Sequence, residues 1–403
     1  MKAVMYGGGN IGRGFVGAML SQSGYEVSFI DVSEPVVSGL SSRRRYPVRY
    51  VSSQGHEDVW IENVTAVNGC DREATAQAIA QCCVMATAVG VRVLPHIAPH
   101  IAAGLRKRWE IGGGCLNIII CENLMNANQY LAKLIKECLT AEECARFDKQ
   151  VGLVEASIGR MVPVQTASMR DGDPLRVCVE RYGFLPVDRD AFKGAIPEIQ
   201  NMIPFGNFDF FVKRKLYIHN MGHAVCAYLG DYMGEAYIHE AISHPEIRLL
   251  AQNAMLESAL ALSMRYGAPL GDLQMHITDL LGRFGNEALQ DTCQRVGGDP
   301  VRKLGPEDRL IGAAFLALEQ GVIPAYIAVG AAAGVRRYLA EAGLRQSVET
   351  AGNVLEDISK LDACAPLGQM ILNAYRLLLD SSALEPLRRA ADAVKAASIQ
   401  NVI

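Results

Sequence analysis

The chain carries eleven cysteines but no C-x-x-C pair and no cysteine–histidine spacing of the zinc-finger kind. They are scattered singly from Cys70 to Cys364, except for adjacent Cys82 and Cys83, which fall in an apolar run and read as core. An odd, scattered set excludes a disulfide framework and points to a reducing compartment. No apolar run reaches the roughly 20 residues of a membrane span. The first residues read as a strand, with no basic-then-apolar leader ahead of it. The expectation is a cytoplasmic protein. Excess charge is scarce too: a net charge of -4 over 403 residues offers no field for nucleic acid or an anionic membrane, so neither is expected as a partner. The triplet Arg43-Arg44-Arg45 is too short to alter this and suits a surface loop. Internal repeats and low-complexity segments are missing, and no spacing suggests metal ligands.

The composition, 50% hydrophobic and 20% charged, is that of a globular protein, and the length favours two domains over one core. Residues Ala3-Val4-Met5-Tyr6 form a short apolar strand, and Gly7-Gly8-Gly9-Asn10-Ile11-Gly12 follows at once, matching G-x-G-x-x-G. A helix over about 13–22, a stop at Gly24 and a second strand at 26–30 ending on Asp31 supply the context the motif requires. In that setting Gly7 permits the tight turn, Gly9 lets a pyrophosphate approach the backbone, and Gly12 allows close helix–strand packing. The helix N-terminus that follows offers free N–H groups and a positive dipole end to phosphates, and Asn10 and Ile11 of the turn are further cofactor-binding candidates. Asp31 would accept hydrogen bonds from the adenosine ribose and repel a 2′-phosphate, so NAD is the expected cofactor.

The alternation continues. A buried strand at 82–86 runs into Thr87-Ala88-Val89-Gly90, where Thr87 and Val89 are placed for a nicotinamide ribose, or else form a packing turn. A helix over about 93–108 precedes the apolar strand 117–121, which delivers Glu122 and Asn123 to the same edge; a helix cap at Asn123 is the competing explanation. Beyond residue 151, segments 162–168 and 175–182 alternate with period two and suggest an antiparallel extension of the sheet. Loop signals cluster over 186–204. The expected fold is therefore an α/β Rossmann-type N-terminal domain with an antiparallel extension, residues 1–195. A mostly α-helical C-terminal domain follows, residues 196–403. Helical runs are expected over about 212–228, 247–266, 271–281, 308–320, 324–337 and 367–379.

The stretch Lys215-Leu216-Tyr217-Ile218-His219-Asn220-Met221-Gly222-His223 stands near the start of the second domain. On an α-helix, at about 100° per residue, Asn220 and His223 are about 60° apart and all three polar groups with Lys215 share about 140° of arc. A base, a carboxamide and a titratable ring on one face suit proton handling. A solvated face with one satisfied histidine is the plainer alternative, and His219 reads as packed.

The K-x-x-x-x-N-x-x-H spacing of Lys215, Asn220 and His223 resembles the signature of the polyol-specific long-chain dehydrogenases, the mannitol dehydrogenase family. The glycine turn with Arg13-Gly14, Thr87-Ala88-Val89-Gly90, Cys121-Glu122-Asn123, Arg160-Met161-Val162-Pro163 and Leu281-Gly282-Arg283-Phe284 are similar to that family as well. So are Arg302-Lys303-Leu304 and Asp308-Arg309-Leu310-Ile311. The resemblance covers most of the chain and fades after about residue 345. It implies metal-free hydride transfer between NAD and a small polyol substrate, the phosphate-using branch interconverting mannitol 1-phosphate and fructose 6-phosphate. It also implies a monomer. Lys215 would be the general base, its pKa brought from about 10.4 toward roughly 7–8 by desolvation and a cationic nicotinamide. Asn123 and Asn220 would donate to the developing alkoxide from the two domains, and His223 would orient the substrate oxygen or the lysine. A phosphate needs cations at its far end, and the candidates are Arg160, Arg283, Arg295, Arg302 and Lys303. One departure stands out. The family usually has an aspartate before the arginine of the Met-Val-Pro stretch, and here that position is Gly159. This leaves open an unphosphorylated polyol or a sugar acid as substrate. A nicotinamide-binding sensor without turnover is the alternative of another class.

Overall fold

The computed structural model describes residues 1–163 and 165–400, with the side chains of residues 398–400 set aside. The chain divides into two compact units, Met1–Phe208 and Asp209–Ile403.

The first unit is built on six parallel strands, β1 (Lys2–Tyr6), β2 (Glu26–Asp31), β5 (Val64–Asn68), β6 (Val84–Thr87), β7 (Leu116–Ile120) and β8 (Val151–Glu155). Their order is β5-β2-β1-β6-β7-β8. From β1 the chain moves outward through β2 to β5, then returns to β6 and moves the other way through β7 to β8. The reversal falls between β1 and β6, and the carboxyl ends of those two strands form the topological switch point. Strands β6 and β7 are buried along their whole length, as expected of a sheet covered on both faces. One face carries Met5, Phe15, Phe29, Ile119 and Val154; the other carries Val4, Ile30, Met85, Leu105 and Ile118. Local capping helps set the covering helices, with Asp71 accepting from Ala74 N and a reciprocal Thr140–Glu143 pair, each such cap being worth about 1 kcal/mol.

The sheet extension differs from the sequence reading in place and in pairing. Its antiparallel part is a hairpin of β3 (Tyr46–Ser52) and β4 (Gly55–Ile61), a region the sequence reading leaves unassigned. From the segment expected at 175–182, only β9 (Val177–Val179) is strand, and it joins β3 in parallel. Of the segment expected at 162–168, Val164 lies outside the described residues, and Ala167–Arg170 is a short helix. Residues 196–208, placed in the second domain by the sequence reading, belong to the first unit. The reason is β11 (Met202–Phe205), which pairs with β10 (Leu185–Asp188).

The second unit has no named strand among its described residues. Its axis is a helix, Met221–Met233, with most of its residues buried, packed against Pro245–Tyr266, Ala325–Glu341 and Cys293–Gly297. Buried Glu257 accepts from the first N–H groups of Ala325–Glu341, at Tyr326 and Ile327, and meets Lys395 Nζ at 3.0 Å. That pairing is a structural use of a carboxylate, satisfying groups a helix start leaves open. All eleven cysteines are free; Cys82 is buried as expected, whereas Cys83 is exposed. Among the described residues no helix is long and apolar enough to cross a membrane.

Candidate active site

At the switch point the glycine turn has the properties its spacing predicts. Gly7 takes φ +103°, in the left-handed region, and a Cβ on it would lie 2.4 Å from the Ala88 carbonyl oxygen. A Cβ on Gly12 would lie 1.9 Å from Gly7 O, so the first helix packs against the turn closer than any side chain allows. Gly9 is different: it is exposed, and a Cβ there would meet nothing within 4 Å. The turn therefore has a filled inner side and an open outer side, which is the shape of a cradle for a pyrophosphate. Asn10 and Ile11 begin the helix and are partly accessible.

Asp31 sits at the end of β2 and accepts from Gly8 N at 2.6 Å and Ser33 N at 2.8 Å. Each carboxylate oxygen keeps a second lone pair for a ribose hydroxyl. Beneath the turn, Arg13 is buried and donates to Gly8 O at 2.6 Å and to Leu175 O. Burial is the main cause lowering its pKa, with a partial counter-effect from Tyr46. The sequence reading did not single out Arg13 as a site residue, because its partners Leu175 and Tyr46 lie far away in the chain.

Thr87 is wholly buried and its hydroxyl lacks a hydrogen-bond partner. The groups facing outward at this edge are Ala88, Val89 and Gly90. The N–H groups of Val89 and Gly90 donate to Glu122 Oε1 at 3.0 Å and Oε2 at 2.9 Å. Glu122 thus ties the loop after β6 to the loop after β7. Asn123, the next residue, is exposed and makes no hydrogen bond with its side chain among the described residues. Arg160 also lies in this unit, but it is buried, donating to Gly14 O at 2.8 Å and to Tyr182 O, with its guanidinium over the Phe15 ring. These bonds commit it to holding the first helix. At Gly159, a Cβ would lie 2.9 Å from the Tyr182 ring, so that ring occupies the space a side chain would need.

In the second unit, Lys215–Asn220 is a π-helical turn joining Asp209–Arg214 to Met221–Met233. This corrects the α-helical geometry assumed from sequence. The Met221 N–H bonds Leu216 O, five residues back, and in such a turn residues five apart are about one turn apart. Lys215 and Asn220 are therefore brought toward alignment, where an α-helix would separate them by roughly 140°. Helical π turns occur mostly as single turns at functional sites. The Asn220 carboxamide is partly accessible and has no hydrogen-bond partner among the described residues.

His223 follows three residues later on the α-helix. Its ring stacks on Phe284 at 4.7 Å and 9°. Its Nε2 lies 3.5 Å from Asp291 Oδ2, yet it has no hydrogen-bond partner among the described residues. Burial, reinforced by Arg295, Arg309, Lys303 and Arg283, pushes the His223 pKa down to about 3. The ring is neutral at any physiological pH and serves as a hydrogen-bonding group. His219 is buried, its pKa also held well down by burial and by neighbouring cations.

Of the five cations expected at a phosphate, Arg283, Arg295 and Lys303 act on His223, together with Arg309. Arg302 instead bridges Asp299 at 2.8 Å and Asp308 at 3.0 Å. Asp291, Phe284 and Arg309 were not proposed from sequence; only the fold assembles them around His223. Among the described residues no group of three His, Cys, Asp or Glu is arranged to hold a metal ion.

A parallel sheet in this order, with a glycine cradle at its switch point, defines a Rossmann-type nucleotide-binding unit, here followed by a helical unit bearing a lysine–asparagine–histidine set. Residues 1–201 match the mannitol dehydrogenase Rossmann domain and residues 207–362 the mannitol dehydrogenase C-terminal domain. The chain belongs to the mannitol dehydrogenase family. It is 35% identical to mannitol-1-phosphate 5-dehydrogenase of Brevibacillus brevis over 95% of this chain and 99% of that one. With the enzyme of the same name from Bacillus subtilis the identity is 37%, over 92% and 99%. Among solved structures, substrate-free D-sorbitol dehydrogenase is similar with a TM-score of 0.78 at 16% identity, covering 96% of this chain and 94% of that one. A mannitol 2-dehydrogenase of Pseudomonas fluorescens, solved with NAD and D-mannitol, has a TM-score of 0.74 at 14% identity, over 98% and 94%. At such identities these two show the fold.

Proposed function

We propose that the chain is an NAD-dependent polyol-phosphate dehydrogenase that interconverts mannitol 1-phosphate and fructose 6-phosphate, with Lys215 as general base. The observation that carries the chemistry is the π turn, which aligns Lys215 with an unbonded Asn220 carboxamide one turn ahead of a neutral His223. The substrate follows the relatives of the same length, which are named for mannitol 1-phosphate. The residues of the first unit fit a dinucleotide: Gly9 leaves room for phosphate, the helix start at Asn10 and Ile11 offers N–H groups, and Asp31 offers its lone pairs to a ribose. Bound there, NAD would supply the hydride acceptor for the alcohol carbon. Lys215 takes the hydroxyl proton, without need of a metal ion. Asn220 donates its amide N–H to the oxygen as it gains charge, and such a donor is typically worth about 3–4 kcal/mol. Neutral His223 offers one donor and one acceptor and fixes the direction of that oxygen.

A second reading, an unphosphorylated polyol or a sugar acid, is favoured by Gly159, where the family's aspartate is replaced and the Tyr182 ring fills the space. The discriminating assay is NADH oxidation with fructose 6-phosphate, fructose and a keto-uronic acid at equal concentrations. Preference for fructose 6-phosphate is expected, and turnover of only a non-phosphorylated ketose would move the substrate. Lys215→Ala is expected to abolish turnover while NADH still binds; normal turnover in that variant would remove Lys215 from its role.

A further inference from the structure

The basic residues near His223 differ in how their donors are occupied. Arg295 gives Nε and Nη2 to Asp291 Oδ1, at 2.8 and 2.5 Å. Arg302 is shared between two aspartates. Lys303 is buried, with Nζ donating to Val296 O at 2.6 Å and to Gly298 O. Arg283 reaches Asp279 at 3.3 Å.

Arg309 is arranged otherwise. Its backbone N and its Nε both donate to Asp308 Oδ1, at 2.6 and 2.7 Å. Its two terminal nitrogens, Nη1 and Nη2, make no hydrogen bond among the described residues, although the side chain is only 10% exposed. Neither atom is among the fully buried polar atoms that lack a partner, so both stay open to solvent or to a ligand. Asp308 accepts the Nε–H, which leaves the Nη1 and Nη2 end of the guanidinium open. That open end is the two-pronged face that matches a phosphoryl group.

Two more unmet groups feel the charge of Arg309. His223 Nε2 is one, and the hydroxyl of Tyr228 is the other. Tyr228 is 2% exposed, with its ring against Gly297 and Gly334. A neutral imidazole, a phenol and a guanidinium edge, all lacking protein partners, are what an oxyanion with several acceptor oxygens would satisfy.

We propose that Arg309, its guanidinium held at Nε by Asp308, is the residue that recognises the phosphate of the substrate. This rests on the reading of the substrate as a phosphorylated polyol. It makes Arg309 the specificity determinant, with Arg295 and Lys303 supplying charge around it. Arg309 was not among the five cations first considered from sequence.

The test uses the full-length chain with Arg309→Gln and Arg309→Lys. NADH oxidation is followed with fructose 6-phosphate and with fructose, and inorganic phosphate is titrated as an inhibitor. In Arg309→Gln, kcat/KM for fructose 6-phosphate relative to fructose is expected to fall by about 10- to 100-fold, the worth of a charged hydrogen-bond pair. The fall should lie mainly in KM, and competition by inorganic phosphate should weaken in parallel. Arg309→Lys keeps the charge without the fork and should recover only part of the ratio. NADH fluorescence and a thermal melt report folding; if Arg309→Gln does not fold, Arg309→Lys decides by the same ratio and the same phosphate titration. An unchanged ratio and unchanged phosphate inhibition, with wild type still preferring fructose 6-phosphate, would overturn the role of Arg309 alone. A wild-type enzyme indifferent to the phosphate would overturn the proposed substrate and this inference with it.

Discussion

The two outer glycines of the turn allow cofactor binding to be separated from folding. Gly9 and Gly12 are three residues apart in one motif, yet a methyl group added to each has a different destination. At Gly12 it would lie 1.9 Å from the Gly7 carbonyl oxygen. That neighbour is backbone, so relief requires moving the turn or the helix, and overpacking of this kind costs typically about 1–3 kcal/mol. A domain of this size loses about 2–4 °C of Tm per kcal/mol. At Gly9 the methyl meets nothing within 4 Å, and the residue is not among those with positive φ. Gly9→Ala should leave stability within about 1 kcal/mol of wild type, and any gain would come from the less flexible unfolded chain.

The cofactor reverses the comparison. If a pyrophosphate lies over Gly9, the new methyl occupies the approach of its oxygens, and a clash of about 1–3 kcal/mol weakens binding by about 5- to 150-fold. NADH fluorescence titration gives the affinity and a thermal melt gives the stability. The expected pattern is a well-folded Gly9→Ala with weak NADH binding and a destabilised Gly12→Ala. Wild-type NADH affinity in Gly9→Ala would refute the placement of the cofactor on this turn. Wild-type stability in Gly12→Ala would refute the packing argument.

Two further outcomes are expected. Glu122→Gln removes one of the two acceptors that hold Val89 N and Gly90 N, and should cost roughly 1–2 kcal/mol with weaker NADH binding, read by melting and fluorescence; an unchanged variant would show that the loop needs no such tie. Lys303 has its pKa pushed down to about 8 by burial, Arg309 and Arg302, against Asp299 and Asp308, so its charge is lost as pH rises through 8. The ratio of kcat/KM for fructose 6-phosphate to that for fructose should therefore fall between pH 7 and 9, pH effects common to both substrates cancelling in the ratio; a flat ratio would remove Lys303 from the phosphate field.

Legibility from sequence followed how local the cause was. The glycine turn was readable because its demands are met within twelve residues: a left-handed φ at Gly7 and a missing side chain at Gly12. The long helices of the second unit were readable from their period. The hairpin Tyr46–Ser52 with Gly55–Ile61 was not, since β4 is exposed at most positions and shows no inside–outside alternation. Strand β9 was placed in the wrong kind of pairing because its partner lies well over 100 residues away.

The site itself divides the same way. Residue types at Lys215, Asn220 and His223 were visible, but nothing in their spelling says that the backbone takes a π turn there. An α-helical reading spreads the lysine and the asparagine apart; one wider turn brings them toward the same side. The cations pose the complementary problem. Five are phosphate candidates from the sequence and Arg309 is a sixth cation beside them, and charge alone ranks none of the six. What sorts them is where their donors go, and that depends on acceptors such as Asp291, Asp308, Val296 O and Gly14 O, several supplied by the fold. Arg160 is committed to the Gly14 carbonyl, Arg302 to two aspartates, and Lys303 to two carbonyls. Arg309, adjacent in sequence to the aspartate that accepts its Nε–H, is open at Nη1 and Nη2. A specificity residue is thus recognised by the bonds it does not make within the protein, which requires knowing every bond its neighbours do make.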